Sequence, residues 1–111
     1  MRLTSIALVL IVLPLSAATG WAKGDADKGR LRTYTCTGCH GVAEYKNAYP
    51  QYHVPKIAGQ SEQYLVAALK AYRSGERAHP TMRAQALSFS DQDIEDIAAF
   101  VAAGTLTGSS K

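Results

Sequence analysis

Cysteine is scarce in this chain, and so are methionine, long apolar runs and clustered charge. Two cysteines, Cys36 and Cys39, stand among 111 residues. A structural zinc site takes four ligands, from two Cys pairs or a Cys pair and two spaced histidines, and the two cysteines fall short of that. No strand-like alternation surrounds the pair, which argues against the strand-to-helix turn of a thioredoxin-like redox centre. No Lys/Arg run or aromatic-interleaved basic stripe is present, so the formal charge of +3 does not point to a nucleic-acid binder. There is no phosphate-cradling glycine loop, no internal repeat and no Ser-His-Asp candidate. The longest apolar run, residues 6–15, is too short to span a bilayer.

What is there begins with an export segment. Met1-Arg2 gives a positive start, residues 6–15 an apolar middle broken only by Pro14, and small residues follow, with Ala22 after Gly20-Trp21 the best last position before cleavage. An uncleaved anchor is the alternative. Removing 22 of the 111 residues leaves 89, residues 23–111, as one small domain with no transmembrane segment. Loss of Arg2 takes 12 Lys and Arg to 11 against 9 Asp and Glu, a net of about +2. Lys28, Arg30 and Arg32 form either a local docking patch or a solvated helix face. Export places both cysteines in an oxidising compartment, where a plain disulfide is one outcome.

The other outcome is written in Thr35-Cys36-Thr37-Gly38-Cys39-His40-Gly41, because Cys-x-x-Cys-His is a c-type haem attachment run. Each thiol can add across one vinyl group of the same porphyrin, and His40 can take an axial position on its iron. Gly41 lets the backbone turn away without a Cβ in its path. Residues 41–59 carry no helical or strand period, and Tyr45, Tyr49, Pro50, Tyr52 and Pro55 punctuate them. A loop that long in a compact domain is usually functional. Its tyrosines could reach haem propionates, and a carbonyl near Pro55 is placed to take the Nδ1 proton of His40. Residues 77–82 read as an extended connection. Met82 is the only thioether left after export, on a loop rather than an apolar stripe, and a thioether is a soft iron ligand. His79, His53 or no residue at all are the alternatives for the sixth position.

Three helices are signalled. Asp25 caps a first helix from about Ala26 to Thr35, with Leu31 and Tyr34 facing inward and Gly29, at a cost of about 1 kcal/mol against Ala, reserved for close packing. Ser61 caps a second that ends at Gly75 and buries Leu65, Ala68, Leu69 and Tyr72. Ser90 and Asp93 make a capping box for a third, with Ile94, Ile97, Ala98 and Val101 as its apolar stripe and Gly104 as its stop. Residues 105–111 read as a frayed tail.

Taken together, Cys36-Thr37-Gly38-Cys39-His40-Gly41, the stretch Val54-Pro55-Lys56-Ile57-Ala58-Gly59-Gln60, and Met82 followed by Leu87-Ser88 and residues 90–102 resemble the bacterial monohaem class I c-type cytochromes over the whole mature chain. The resemblance implies an all-α fold of three to four helices and long loops around one covalently attached haem c. It implies thioethers at Cys36 and Cys39, axial bonds from His40 and Met82, and a Pro55 carbonyl accepting from His40. It further implies that the Gly29 helix crosses the Phe100 helix closely. The loop from Gly41 to Pro55 is longer than usual for that family, and Arg77, then Tyr52, are the candidates for propionate contacts. The expected role is a periplasmic one-electron carrier that meets redox partner proteins and is not an enzyme. The alternatives are a haem enzyme or gas sensor with an open sixth site, and a fixed subunit of a dehydrogenase or oxidase complex.

Overall fold

The computed structural model describes residues 23–104 and residue 106, so the expected leader and its boundary at Ala22 lie outside the described residues. Among the described residues five helices follow one another: α1 Ala26–Arg32, α2 Tyr34–His40, α3 Glu62–Ser74, α4 Pro80–Leu87 and α5 Asp91–Ala102. The all-α class read from the sequence is the class observed. The count exceeds the three to four expected because the first helix is broken and the stretch from Pro80 through Met82 to Leu87 is itself helical.

The break falls at Thr33, whose φ of −88° and ψ of 3° leave the helical region. Its hydroxyl donates to the Arg30 carbonyl at 3.1 Å, so a nearly fully buried polar side chain is satisfied locally. Asp25 starts α1 by accepting the Asp27 and Lys28 N–H groups at 3.0 and 3.2 Å. Leu31 and Tyr34 do not face inward; they are 67% and 75% exposed. The inward face is instead made of small residues. A Cβ on Gly29 would lie 1.9 Å from the Asp96 carbonyl oxygen and 3.0 Å from Phe100 Cβ, so α1 meets α5 backbone to backbone. Gly29 and Thr33, four apart, share that face, which turns Leu31 outward.

The α1–α5 crossing is tied by one buried carboxylate. Asp96 Oδ1 accepts the Asp25 N–H and the Gln92 side-chain amide, each at 2.8 Å. Arg32 reaches Asp93 at 3.1 Å beside it. Helix α3 begins at the Ser61 cap and ends at Gly75, whose φ of 85° is the left-handed closure that favours glycine. It packs on both α4 and α5. The Ser90–Asp93 capping box opens α5 as expected.

Leu65 and Val66 of α3, Ile94, Ile97, Ala98 and Val101 of α5, and Leu106 form the core, with Cys36, Ile57, Leu69, Phe89 and Phe100 packed against it. Leu106 departs from the reading of a frayed tail: it is 0% exposed. Its carbonyl also explains Gly41, where a Cβ would stand 2.6 Å from that oxygen. Close approach, rather than an unusual backbone angle, is what Gly41 provides, since its φ is −93°.

Candidate haem site

Helix α2 carries Cys36, Cys39 and His40 on less than two turns. The pair therefore sits within a helix, not on a chain leaving one. Both cysteines are free thiols, so the disulfide reading does not describe this structure. Cys36 packs against the core while Cys39 is exposed, and burial pushes the Cys36 thiol above its ordinary value. Nothing lies within 4 Å of a Cβ built on Gly38, so the turn between the two sulfurs presents an unobstructed face.

His40 Nδ1 stands 2.7 Å from the Pro55 carbonyl oxygen, fifteen residues away. A carbonyl only accepts, so Nδ1 carries the proton and Nε2 keeps its lone pair for an outside partner. The loop that supplies this carbonyl is folded on itself. Lys46 and His53 form an isolated antiparallel bridge, flanked by Asn47 N–H to Tyr52 carbonyl at 2.8 Å and Val54 N–H to Tyr45 carbonyl at 2.9 Å. His53 is exposed on this turn. Asn47 Nδ2 closes the turn on the Pro50 carbonyl at 3.0 Å.

Met82 is in the first turn of α4, not on an extended segment. Two local devices start that helix. Pro80 stands at its first position, where a missing N–H costs nothing. His79 is the N-cap, and its Nδ1 accepts the Met82 backbone N–H at 3.2 Å. His79 Nε2 lies 2.8 Å from the Tyr52 hydroxyl. Because Nδ1 accepts, Nε2 bears the proton and donates to Tyr52, which leaves the phenol proton free to donate elsewhere. His79 and His40 are thus held in opposite tautomers. Both nitrogens of His79 are committed within the protein, whereas Nε2 of His40 is not paired by this contact.

Arg77 is exposed. Its Nη1 donates to the Tyr64 hydroxyl at 3.2 Å, and its guanidinium stacks 4.8 Å from the Tyr72 ring centroid. Arg77 and Tyr52 are both joined through aromatic partners on α3 and His79 rather than directly. The residue that sequence reasoning placed only as a rival ligand, and not as a cap, is His79. The one local clue was Pro80 directly after it.

The donor set fits a haem: two unpaired thiols on one helical face, an imidazole with its second nitrogen already fixed, and a thioether on a capped turn. A small all-α domain organised around these groups defines a c-type cytochrome. The family model described as Cytochrome c matches residues 26–105, and the chain belongs to that family, among its bacterial class I members. It is 36% identical over 96 residues to cytochrome c4 of Pseudomonas aeruginosa, covering 86% of this chain and 46% of that relative. It is 44% identical over 82 residues to cytochrome c-554(548) of Halomonas halodenitrificans, covering 69% of this chain and 93% of the relative. A solved Acidithiobacillus ferrooxidans cytochrome c4 matches with a TM-score of 0.59 at 23% identity, over 77% of this chain and 52% of that one, a likeness of fold. The chain spans about half the length of the cytochrome c4 relatives it matches. Membership carries a covalently attached haem c and a role in electron transport, and Cys36, Cys39 and His40 fit the attachment motif. Among the described residues no helix is long and apolar enough to cross a membrane.

Proposed function

We propose that the chain is an exported, periplasmic one-electron carrier in which Cys36 and Cys39 would tether haem c while His40 and Met82 would ligate its iron. The observation that carries this reading is the 2.7 Å bond from His40 Nδ1 to the Pro55 carbonyl, which fixes the tautomer and leaves the Nε2 lone pair for a metal. Bound haem supplies a one-electron iron couple, set by its axial ligands and its burial. The residues of the chain do the rest. Pro55 locks the His40 tautomer and strengthens it as a donor. Met82, a neutral thioether, favours the ferrous state. Commitment of both His79 nitrogens supports Met82 over His79, and the exposed turn that holds His53 favours Met82 there too. Arg77, then Tyr52 through its free phenol proton, are the groups proposed for the propionates. With His40 and Met82 both committed to the iron, no position would be left on it for a substrate, which supports a carrier rather than an enzyme. Redox partners meet it through a small, wet, transient surface.

The test is spectroscopic. Haem should stay with the exported polypeptide after acid-acetone extraction, and the ferrous protein should bind CO poorly at neutral pH. Met82→Ala should lower the midpoint potential and admit CO readily. Haem lost to the solvent would overturn the tether; rapid CO binding by the unaltered protein would favour an open-site enzyme or sensor. A fixed subunit role is the second reading, favoured by 27% identity over 73 residues to a protein named cytochrome subunit of sulfide dehydrogenase from Chlorobaculum tepidum. Co-purification of a stoichiometric partner from native extracts would select it.

A further inference from the structure

His79 is an unusual cap. Strong N-caps are short oxygen-bearing side chains, and Asn or Asp would satisfy the same N–H with less bulk. The imidazole does something those side chains cannot: it spans two segments. One nitrogen takes the Met82 N–H at 3.2 Å, and the other reaches Tyr52 at 2.8 Å, twenty-seven residues back in the long loop. Edge-on packing holds the ring from both sides. Tyr52 lies at 5.8 Å between centroids with planes 86° apart, and Tyr72 of α3 at 6.1 Å and 77°. The Arg77 guanidinium covers the Tyr72 ring. The His79 carbonyl also receives the Arg83 N–H at 2.8 Å, so the residue is fastened at backbone and side chain alike.

We propose that His79 is a positioning residue for the haem site: through Tyr52 it locks the first turn of α4 to the 41–59 loop and so fixes the reach of the Met82 sulfur. This rests on the reading of Met82 as the sixth ligand. A thioether is a weak ligand to ferric iron, so its bond depends on how little the chain must reorganise to form it. Helix α4 packs on α3 but buries only Ala86 of its own residues. The cap and the Tyr52 link act directly on its first turn, the one that carries Met82.

Two variants of the holoprotein separate the link from the cap. Tyr52→Phe keeps the ring and the cap but deletes the hydroxyl; His79→Asn keeps a short acceptor for the Met82 N–H and deletes the reach to Tyr52. Both should dim the ferric sulfur-to-iron charge-transfer band at room temperature. Both should raise the CO association rate of the ferrous protein about tenfold, the loss of roughly one hydrogen bond expressed as a rate. Hydrogen exchange at the Met82 amide should quicken in His79→Ala, a readout that needs no redox partner. Met82→Ala is the reference. If it abolishes the band while Tyr52→Phe and His79→Asn leave band and CO rate at the unaltered level, positioning by His79 is wrong. A fall in melting temperature with no change in band or CO rate also overturns the proposal, because it marks a purely structural cap. If Met82→Ala leaves the band intact, the ligand assignment itself falls and takes this inference with it.

Discussion

Gly29 shows how much one missing side chain decides. The clash that a Cβ would meet there is with the backbone carbonyl of Asp96, not with a flexible side-chain end, so the neighbour cannot swing aside. Gly29→Ala would have to part α1 from α5 and loosen the Asp25 N–H bond to Asp96 at 2.8 Å. Overpacking of this kind costs about 1–3 kcal/mol, and the better helix propensity of alanine returns at most about 1 kcal/mol. The net expectation is a lower melting temperature by several degrees, on the order of 4–8 °C per kcal/mol for a domain this small. A thermal melt of the holoprotein reads it directly, and an unchanged or raised midpoint would mean that α1 and α5 do not meet at Gly29 as described.

At the scale of elements, three carboxylates sit where helix starts need them. Asp93 is held below its ordinary value of 3.8 chiefly by the Ser90 backbone N–H, then by the Ser90 hydroxyl and the nearby Arg32. The Arg73 guanidinium does the same for Asp91, and the Lys28 backbone N–H for Asp25. A carboxylate whose folded value is depressed stabilises the fold above its unfolded value and loses that contribution as pH falls through the folded one. Acid should therefore bring no loss from these groups between neutrality and about pH 5, then a progressive one below about pH 4. In Asp93→Asn the melting temperature should start lower at pH 7 and converge on the unaltered protein in acid. Parallel curves at all pH values would show that the charge of Asp93 contributes nothing. These caps also explain which helices could be read from the sequence. Helices α3 and α5 announce themselves because Ser61, Ser90 and Asp93 act within three residues of the helix they start. Helix α4 hides because its cap is a histidine, and its eight residues bury only Ala86, so no apolar stripe marks it. The inward face of α1 misleads because Gly29 and Thr33 replace the large residues that periodicity seeks.

For the whole molecule, contiguity set what was legible at the site. Cys36, Cys39 and His40 stand within five residues and speak for themselves, and Pro55 was reachable from its place on a proline-stiffened loop together with the family resemblance. The pairing of Tyr52 with His79 depends on a fold that brings residues twenty-seven apart together, and no local rule encodes it. The same economy leaves the fold under-supplied with core. Among the described residues seven buried ones form one cluster, while Val42, Tyr45, Tyr64 and Leu87 are among the exposed large apolar side chains. A domain of this size buries too little surface to be stable with much margin, and a tethered apolar macrocycle that the folded chain buries and the unfolded chain leaves in water adds to its stability. Cys36→Ala/Cys39→Ala, which removes both tethers and little volume, should consequently yield a colourless product with weakened far-ultraviolet helical dichroism, a broad melt and strong binding of a hydrophobic dye. Cys39 is exposed and Cys36 sits at the edge of the core, so lost packing alone does not account for collapse on that scale. A double variant that kept full helical signal and a sharp, cooperative melt without pigment would show that the polypeptide closes its core unaided, and that the haem serves electron transfer alone.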